Sequence, residues 1–535
     1  MNVLAIYGAT HDSSVALIAD GKVFAIELER ISRLKHFCDH RLLTHQYLQN
    51  VVRYIPPNLQ EVTAQAVHYV LEAAGITLDD LDLCAPWWPG VPRVEEPLGH
   101  HASHAASAFY PSGFDEAAVL VVDNFGDWHS DEKVLRETVS FWHGKGRDLQ
   151  HIHTWFSPAW QFAEVTDRFA HHGSLGIFYT DCTLASGFKV MDGGKTMGLS
   201  PYGSDALLEP LRQHVHVSEH GQLLFNRQYQ DVIRHAEPAD VAFAAQKILE
   251  ERMIDYVRQV VAHTGCRRLC LAGGIALNSV ANGLIRDEVD ELFVQPAAKD
   301  SGLSLGRAVQ IFYSDPKNAS FDLNYRGYYL GREYDLSRPI EAPDLEVREL
   351  PDDLLFDQVA ERLAEGEIVA WYQGASEFGP RALGNRSILC DPREASAKDH
   401  LNARVKHRES FRPFAPSVLE EHFTEFFGGT GPTPYMLRVV PVVDPRIPAV
   451  THVDGTARVQ TVRRDQNPRF YQLIQAFGRR TGVPVLLNTS FNVRGQPIVE
   501  TPHEALDTFR STDIDVLVIG NTLYTSPAGA AKPAD

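Results

Sequence analysis

Residues 3–27, VLAIYGATHDSSVALIADGKVFAIE, carry the first indication of the fold. The run at 3–8 is apolar and β-prone and ends in glycine, and a small polar loop separates it from further apolar runs at 14–19 and 23–27. Between those two runs stands Asp20-Gly21, a pair typical of two-residue hairpin turns. The stretch therefore predicts a buried strand, a polar loop and a β-hairpin.

The same plan recurs further along the chain. Apolar residues 118–122 lead into a loop rich in Asp and Gly at 123–127, and a β-prone run at 139–143 precedes a turn near Gly144. Two such units indicate an internal duplication, which is the plan of the actin/hexokinase-like fold, with two halves facing each other across a nucleotide cleft. The alternative is a coincidence between two common β patterns. We therefore expect an α/β protein with a duplicated actin/hexokinase-like N-terminal domain.

Helical spacing of apolar residues is present at 44–54, 63–74 and 240–264. Residues 269–274 then predict a short buried strand that ends in a glycine pair, and residues 275–278 open another helix. Glycines at a strand-to-helix turn allow backbone amides to approach a phosphate or an adenosine. The segment therefore suggests a nucleotide contact, although the pattern is common.

A chain of 535 residues exceeds a single hydrophobic core, so several domains are expected. A linker is predicted at 315–350, where Asp, Pro, Asn and Gly accumulate, and a helix at 356–365 and a strand at 367–372 follow it. We therefore expect one domain at 1–345 and a second at 346–525. The tail at 526–535 is poor in apolar residues and is expected to be disordered.

Composition excludes some classes of function. The net charge of −19 argues against a protein that wraps a nucleic-acid backbone, although a local basic groove remains open. No two of the six cysteines stand in a Cys-x-x-Cys motif, and scattered cysteines suit a reducing cytosol, so a cytoplasmic location is expected. The N-terminus enters a strand directly, so neither a signal peptide nor a membrane span is expected.

A metal site is indicated by two histidines four positions apart. His100 and His104 would lie on one face of a helix, within reach of one ion. Asp123, at the end of the next strand, and Asp300 could add carboxylates. Two imidazoles with carboxylates suit ferrous iron, manganese or zinc. The alternative is that the histidines cap a helix or bind water, since the chain contains 24 histidines.

A second candidate site is dense in cations. Its charged residues stand in loops rich in Gly, Pro, Ser and Asn, and guanidinium groups bind phosphate and carboxylate oxygens in a bidentate manner. Nearby hydroxyl and amide groups could hold a carbonyl or a second phosphate. The alternative is a set of surface cations paired with the abundant acids of the chain. The candidate residues are Arg381, Arg386, Lys406, Arg412, Arg458, Ser490, Asn492 and Arg494.

With these motifs the chain resembles the O-carbamoyltransferase family that includes the nodulation protein NodU and the tobramycin carbamoyltransferase. The resemblance extends over nearly the whole chain and rests on an ordered series of motifs. These are residues 11–14, 99–108, 194–203, 271–278, 296–302, 377–387, 411–416, 452–458 and 488–495.

The resemblance implies an N-terminal domain similar to the tRNA threonylcarbamoyl-transferase and a C-terminal YrdC-like domain. In that scheme the C-terminal domain uses carbamoyl phosphate, ATP and Mg²⁺ to form carbamoyl-adenylate. The N-terminal domain then transfers the carbamoyl group to a hydroxyl beside a ferrous ion. Carried over to this sequence, the metal ligands are His100, His104, Asp123 and Asp300. The carbamoyl-phosphate pocket matches Arg381, Lys406, Arg412, Arg458, Asn492 and Arg494, and the residues expected to contact the adenylate are Asp192, Lys195, Gly273, Gly274 and Asn278.

The sequence departs from the family pattern at three places. Gly193 stands where an acidic residue is usual before Gly-Lys, and Lys299 precedes Asp300 where a small residue is common. Leu28 interrupts an acidic run near Glu27. These departures concern how the adenylate is bound and which acceptor is used. They do not concern the class of reaction.

Transfer to a hydroxyl requires a base. His11 and Asp12, in the first polar loop, are the candidates, although Asp12 could equally serve only to fix the loop.

The acceptor is expected to be a bulky, partly apolar hydroxyl compound, such as a glycosylated polyketide of antibiotic biosynthesis. This expectation rests on aromatic and apolar residues around the metal motif. The alternative is that they pack the core. They are Trp87, Trp88, Pro89, Trp155, Phe156, Trp160 and Phe162.

Two other functions stay open. A tRNA-modifying threonylcarbamoyl-type enzyme is disfavoured by the acidic composition. A catalytically inactive nucleotide- or sugar-binding homologue is disfavoured by the retained histidines and arginines.

Overall fold

The computed structural model describes residues 1–8, 11–37, 59–86, 88–94, 99–128, 135–158 and 171–527. They form two compact units. The first comprises Met1–Gly21, Cys38–Leu59 and Thr77–Leu323, and the second comprises Lys22–Phe37, Gln60–Ile76 and Asn324–Asp535. The predicted helix at 44–54 and residues 528–535 of the predicted disordered tail lie outside the described residues.

The second unit includes two N-terminal segments that the predicted boundary at residue 345 assigned to the first domain. Backbone hydrogen bonds tie one of these segments to the start of the C-terminal part: Val23 N donates to Asn324 O (3.1 Å), and Ala25 N donates to Leu330 O (2.9 Å). Such pairing between distant segments carries no local signal in the sequence.

The strands of the described residues are, in chain order, β1 Val3–Tyr7, β2 Ser14–Ala19, β3 Lys22–Glu27, β4 Leu83–Ala85, β5 Glu116–Val122, β6 Leu135–Lys145, β7 Asp148–Pro158, β8 His171–His172, β9 Val215–Val217, β10 Leu223–Asn226, β11 Arg268–Ala272, β12 Glu291–Val294, β13 Glu346–Glu349, β14 Val369–Tyr372, β15 Arg386–Cys390, β16 Ala415–Leu419, β17 Val439–Pro441, β18 Thr456–Arg458, β19 Gln460–Val462, β20 Val485–Ser490, β21 Val516–Ile519 and β22 Thr522–Thr525.

The α-helices of the same residues are α1 Leu28–Ser32, α2 Leu59–Ala74, α3 His100–Phe109, α4 Leu175–Ala185, α5 Gly193–Leu199, α6 Leu208–Arg212, α7 Tyr229–Ile233, α8 Pro238–Thr264, α9 Ser279–Glu288, α10 Leu303–Ser314, α11 Asp352–Ala364, α12 Ser396–Leu401, α13 Phe423–Phe426, α14 Pro468–Thr481 and α15 Pro502–Arg510. No helix within the described ranges is both long and apolar enough to cross a membrane.

The first unit contains the predicted duplication. β1 pairs antiparallel with β2 and parallel with β4. β5 repeats this arrangement, since it pairs antiparallel with β6 and parallel with β11. In the second sheet β7 continues beyond β6 and β12 beyond β11. The first unit is therefore a duplicated actin/hexokinase-like α/β fold, as the two strand–loop–hairpin patterns predicted.

The second sheet of this unit positions a site at one of its edges. β5, β11 and β12 are parallel neighbours. Their carboxyl ends therefore point the same way, and the loops that follow them gather at one edge of the sheet. β5 is an almost uninterrupted buried apolar run, which is typical of a strand covered on both faces.

Helix α3 packs closely because its residues are small. Ala105, Ala108 and Phe109 share a buried cluster with β5 and β11. On α10, a Cβ placed at Gly306 would lie only 1.8 Å from the carbonyl oxygen of Ser103 in α3. This close approach requires glycine at position 306, and it fixes the helix that begins at His100.

The second unit is built on an eight-stranded mixed sheet in the order β13-β22-β21-β14-β15-β20-β16-β19. Alternate residues of β14 face two separate apolar clusters. Val369 and Trp371 pack with residues of α11 and α14, whereas Ala370 and Tyr372 pack with a cluster that includes residues of α15. The sheet is therefore covered on both faces, which gives a C-terminal α/β domain.

We predict that Gly306→Ala lowers the free energy of unfolding by about 1–3 kcal/mol, because the added methyl group overpacks the contact between α10 and α3. Gly194→Ala is the matched control. Gly194 also lies inside a helix, but a Cβ there meets no atom within 4 Å. Thermal and denaturant unfolding measure both variants. Equal stability of Gly306→Ala and the control would contradict the close approach.

Candidate functional site

Four buried residues of the first unit converge at the carboxyl ends of the strands. α3 begins at His100 and presents His100 and His104 on one face, Asp123 follows β5, and Asp300 begins a short 3₁₀ turn. Their ligand atoms all lie within 4.8 Å of one another. The structure therefore brings together the four predicted metal ligands.

The distances within this group fit a metal ion. His100 Nε2 lies 3.1 Å from Asp123 Oδ2 and 3.8 Å from Asp300 Oδ1. His104 Nε2 lies 3.4 Å and 3.8 Å from the same two atoms, and neither of its ring nitrogens has a hydrogen-bond partner among the described residues. Two imidazoles and two carboxylates aimed at one point form a donor set for a divalent ion such as Fe²⁺, Mn²⁺ or Zn²⁺.

The charges of these residues depend on one another. Burial on its own raises the pKa of Asp123, but the neighbouring imidazoles of His100 and His104 hold this pKa well below its usual range. Burial on its own lowers the pKa of His100, yet Asp123 and Asp300 raise it overall. The carboxylates therefore favour the protonated form of His100. A divalent ion that binds the His100 ring nitrogen would displace a proton from it.

Neighbouring groups orient the two carboxylates. Tyr7 donates its hydroxyl hydrogen to Asp300 Oδ2 (2.8 Å). Asp123 Oδ1 accepts from the backbone N–H groups of Asn124 (2.8 Å) and Gly274 (3.1 Å). Such partners fix the direction in which a carboxylate presents its free oxygen to a metal. Tyr7 could not be identified as a site residue from the sequence, because a tyrosine at the end of a buried strand carries no sign of a polar role.

His101 lies outside the ligand group. Its Nδ1 lies 2.9 Å from Ser140 Oγ, and burial lowers its pKa well below the usual value. This position agrees with the rotation of about 100° per residue along a helix.

The predicted base residues lie beside the metal ligands. His11 Nδ1 is 3.0 Å from Asp12 Oδ2 and 4.0 Å from Asp300 Oδ2. Burial on its own lowers the pKa of His11, but Asp300 and Asp12 raise it to about 9. Lys299 Nζ lies 3.8 Å from Asp12 Oδ2. Asp12 has a left-handed backbone (φ 51°), which fixes the turn that carries both residues.

Two of the predicted adenylate-binding glycines adjoin the same group. Gly273 has φ 88°, and a Cβ there would lie 2.2 Å from the carbonyl oxygen of Val122, so only glycine fits. Gly274 donates its N–H to Asp123, as described above. The glycine pair thus joins the end of β11 to the loop that bears a metal ligand.

The other predicted adenylate-binding residues make two separate sets of polar contacts within the described residues. Asn278 caps α9 through Ala281 N (3.0 Å) and exchanges two hydrogen bonds with Gln246 of α8. Tyr179 donates to Gln246 Oε1 (2.9 Å). Lys195 Nζ lies 3.0 Å from Asp192 Oδ2. Gln246 is a further polar residue of this region. It donates to Glu250 four residues further along α8. Two polar residues at this spacing on an otherwise apolar helix face are a pattern that the sequence shows.

In the second unit, several predicted anion-binding residues act on one another electrostatically. Burial lowers the pKa of Arg458 well below its usual value, and the charges of Arg381, Arg408 and Arg412 lower it further. Burial and Arg412 lower the pKa of Arg381 to about 10. The Nε atoms of Arg381, Arg408 and Arg458 are buried without a hydrogen-bond partner in the described structure. A bound anion would offset the repulsion between these cations, so they form a candidate anion-binding site.

Arg408 belongs to this cation cluster, but the sequence analysis did not single it out. Burial and Arg412 lower its pKa to about 9, and its guanidinium lies 4.0 Å from the centroid of the Phe414 ring. The available signal was its place between Lys406 and Arg412 in a stretch dense in cations.

Lys406 joins the cation cluster to the loop after β20. Its Nζ donates to Ser490 O, Asn492 O (2.9 Å) and Asn492 Oδ1 (2.9 Å). Burial lowers the pKa of Lys406 well below its usual value, and Arg408 and Arg412 lower it further. Arg494, which is exposed, donates to His407 O (3.1 Å). Four predicted residues, Lys406, Ser490, Asn492 and Arg494, therefore lie together.

Arg386 has a different set of partners. Its guanidinium is fully buried, donates to the backbone carbonyls of Gln373, Asn385 and Gly374, and stacks 3.6 Å from the centroid of the Tyr372 ring. These contacts fix the loop before β15. The Arg386 guanidinium is thus committed to backbone carbonyls and an aromatic ring.

The aromatic residues considered for the acceptor divide into two groups. Trp155 is buried and packs against Phe141 and Tyr256, with ring centroids 5.1 Å and 5.5 Å away, so it belongs to the core. Trp88 and Pro89 follow β4 in a partly exposed loop, whereas Trp87, Trp160 and Phe162 lie outside the described residues.

Phe156 lines a cavity of about 480 Å³ together with Trp142, Gly99 and Ala102. Ala102 lies about 200° around α3 from His100, so this cavity lies on the side away from the metal ligands.

Comparisons with known proteins agree with this architecture. Residues 95–309 match the carbamoyltransferase N-terminus family model, and residues 360–526 match the carbamoyltransferase C-terminus family model. The nodulation protein NolNO of Sinorhizobium fredii is 35% identical, over 98% of this chain and 80% of its own length. The 3'-hydroxymethylcephem-O-carbamoyltransferase of Amycolatopsis lactamdurans is 32% identical, over 64% of this chain and 66% of its own length.

Among solved structures, full-length HypF in its phosphate- and nucleotide-bound form aligns with 60% of this chain and 56% of its own, at 13% identity and a TM-score of 0.41. The family models and the NolNO match, by contrast, extend through both units of the chain. The chain therefore belongs to the O-carbamoyltransferase family and is an enzyme that transfers carbamoyl groups.

Proposed function

We propose that this enzyme is an ATP-dependent O-carbamoyltransferase that works in two steps in the cytoplasm. In the first step the second unit uses carbamoyl phosphate and Mg²⁺-bound ATP to form carbamoyl-adenylate, with release of phosphate and pyrophosphate. In the second step the first unit transfers the carbamoyl group to a hydroxyl of a small molecule. The free thiols of Cys84, Cys182, Cys266, Cys270 and Cys390 are compatible with a reducing compartment.

The observation that carries the proposal is the presence of two chemically different centres, one within each unit. The His100–Asp300 group offers a donor set for a cation, whereas the cation cluster around Arg381 and Arg458 offers a site for an anion. Phosphate and pyrophosphate are anions that bidentate guanidinium groups bind well. This supports phosphate chemistry in the second unit and a separate transfer centre in the first.

A divalent metal, which we propose to be Fe²⁺, would be held by His100, His104, Asp123 and Asp300. When bound, it would supply Lewis-acid polarisation of an oxygen in the transfer site. Gly274 and Tyr7 would keep the two carboxylates oriented toward it. We propose that Gly273, Asn278, Asp192 and Lys195 bind the adenylate.

His11 is proposed as the base of the transfer step. The acceptor oxygen would attack the carbamoyl carbon, the bond from that carbon to the adenylate phosphate oxygen would break, and AMP would leave. The hydroxyl proton would pass to the neutral form of His11, which is the form able to accept it. Asp12, which is 3.0 Å from Nδ1, would stabilise the resulting imidazolium.

The acceptor is proposed to be a bulky, partly apolar hydroxyl compound such as a glycosylated polyketide of antibiotic biosynthesis. Support comes from Trp88, which follows β4. β4 runs parallel to β1, so the loop that bears Trp88 and the loop that bears His11 follow the same edge of their sheet. Tryptophan rings pack well against the apolar faces of sugars.

We predict that His104→Ala abolishes carbamoyl transfer while carbamoyl-phosphate-dependent ATP cleavage remains. Loss of a direct ligand should weaken metal binding by more than about 100-fold, since even the loss of an outer partner costs 10–100-fold. Metal content, pyrophosphate release and product mass measure the three effects. His101→Gln is the control on the same helix. Loss of both half-reactions in a folded His104→Ala protein would refute the two-step scheme.

Arg494→Ala should reduce kcat/KM for carbamoyl phosphate by about ten- to over a hundredfold, which corresponds to the loss of one charge-assisted phosphate contact. Carbamoyl-adenylate supplied in the assay should restore transfer. Arg480→Ala is the matched control, because Arg480 is also exposed and pairs with Glu361 on the surface. If supplied carbamoyl-adenylate fails to restore transfer, Arg494 acts elsewhere.

Trp88→Ala should raise the KM for the acceptor about tenfold, as expected for the loss of roughly 1.4 kcal/mol of ring contact, and leave carbamoyl-adenylate formation unchanged. Initial-rate kinetics with a glycosylated polyketide and with a small polar sugar measure this. Unchanged acceptor kinetics in the folded variant, or efficient turnover of the small sugar, would contradict the proposed acceptor class.

A further inference from the structure

Two arginines at the end of α1 contact both loops that carry the proposed carbamoyl-phosphate residues. α1 and Arg33, the residue after it, belong to the second unit although they stand near the start of the chain. The first loop, at 379–386, bears Arg381. The second, at 490–498, bears Asn492 and Arg494.

Arg30 holds the start of the first loop. Its side chain is only 1% exposed. Nε donates to Glu27 Oε2 (3.0 Å), and Nη2 donates to the carbonyl oxygen of Gly379 (2.9 Å). Gly379 has φ 119°, a conformation that favours glycine, and it precedes Arg381 by two residues. The Arg30 guanidinium thus connects Glu27, on the same segment, to the backbone carbonyl of Gly379 at the start of the first loop.

Glu377 holds the far end of the same loop. Its Oε1 accepts from the backbone N–H groups of Leu383 (2.7 Å), Asn385 (2.8 Å) and Arg386 (3.1 Å). Arg381 therefore stands between two anchored points, Gly379 and Leu383. With its backbone fixed on both sides, the direction of the Arg381 side chain depends on both anchors.

Arg33 holds the end of the second loop. Nη1 donates to Ile498 O (2.8 Å), Nη2 donates to Pro497 O (3.1 Å), and Nη1 also lies 3.0 Å from Glu504 Oε2. Lys406 holds the beginning of this loop at Ser490 and Asn492, as described above. Asn492 and Arg494 thus stand between two cationic anchors, just as Arg381 stands between two anchors in the first loop.

A further observation places this N-terminal segment close to the cation cluster. Burial is the main cause of the low pKa of Lys406, and the charge of Lys35 is among the charges that lower it further. Lys35 stands two residues after Arg33. The segment therefore reaches the neighbourhood of the site and does not only support the loops from a distance.

We infer that Arg30 and Arg33 are positioning residues for the carbamoyl-phosphate site, where they set the spacing between Arg381 on one loop and Asn492 and Arg494 on the other. This inference rests on the proposed function. Neither arginine needs to touch the substrate. A displacement of about 1 Å in a binding constellation can cost about 100-fold in rate, so backbone anchors of this kind can control the use of the substrate.

Arg33→Met tests the inference in the full-length protein. Arg33 is the better target, because its side chain is 28% exposed, whereas the Arg30 side chain is only 1% exposed and its removal would also break the ion pair with Glu27. The expected result is a rise of about tenfold or more in the KM for carbamoyl phosphate in phosphate-release assays. Transfer from supplied carbamoyl-adenylate should keep its wild-type kcat. Arg33→Lys should give an intermediate KM, since lysine can donate to a carbonyl but lacks the fork.

Arg446→Met is the matched control. Arg446 also donates to a backbone carbonyl, that of Gly482 (3.1 Å), and pairs with Glu425, but it contacts neither loop. Its KM for carbamoyl phosphate should equal that of the wild type, and the melting temperatures of both Met variants should stay within about 4 °C of it.

An unchanged KM in Arg33→Met, or an equal loss in phosphate release and in transfer from carbamoyl-adenylate, would overturn the positioning role. The absence of phosphate release in the wild type would instead overturn the proposed function, and this inference with it.

Discussion

Two buried carboxylates, Asp123 and Asp300, impose the constraint on which the first unit depends. A carboxylate taken out of water is strongly destabilising unless positive charge and hydrogen bonds compensate it. Here the compensation comes from His100 and His104 on α3, from the backbone of Gly274 and from the Tyr7 hydroxyl. The strand ends, the glycine at 273 and the close packing of α3 all serve to bring these groups together. The arrangement that satisfies the carboxylates also gathers four side chains that could hold a divalent metal.

The second unit presents the opposite electrostatic problem. Arg381, Arg408 and Arg458 are largely buried, and the charges of Arg381 and Arg408 add to burial in lowering the pKa of Arg458. Such a cluster is stabilised by an anion, and binding of a ligand to the folded state alone stabilises that state. Its loops are shaped by backbone contacts from Arg30, Arg33, Glu377 and Lys406.

Much of this could be predicted from the sequence, because strand periodicity, turn residues and the i, i+4 histidine pair are local patterns. The two strand–loop–hairpin units, α3 with His100 and His104, and Asp123 after β5 are of this kind. Asp300 and the arginine set were candidates from residue type and local context, and the family resemblance then assigned them to a metal site and a carbamoyl-phosphate pocket. Tyr7, Arg30 and Arg33 could not be predicted, because their roles arise from contacts with residues hundreds of positions away. Arg386 shows the reverse: its motif suggests an anion ligand, but tertiary packing gives it three backbone carbonyls and an aromatic ring.

The central claim is that an adenylate forms from carbamoyl phosphate independently of any acceptor. Exchange of labelled pyrophosphate into ATP by the full-length enzyme, in the absence of acceptor, tests it most directly. Formation of carbamoyl-adenylate is reversible in this account, so label should enter ATP only when carbamoyl phosphate is present. No exchange under these conditions, or exchange at the same rate without carbamoyl phosphate, would contradict it.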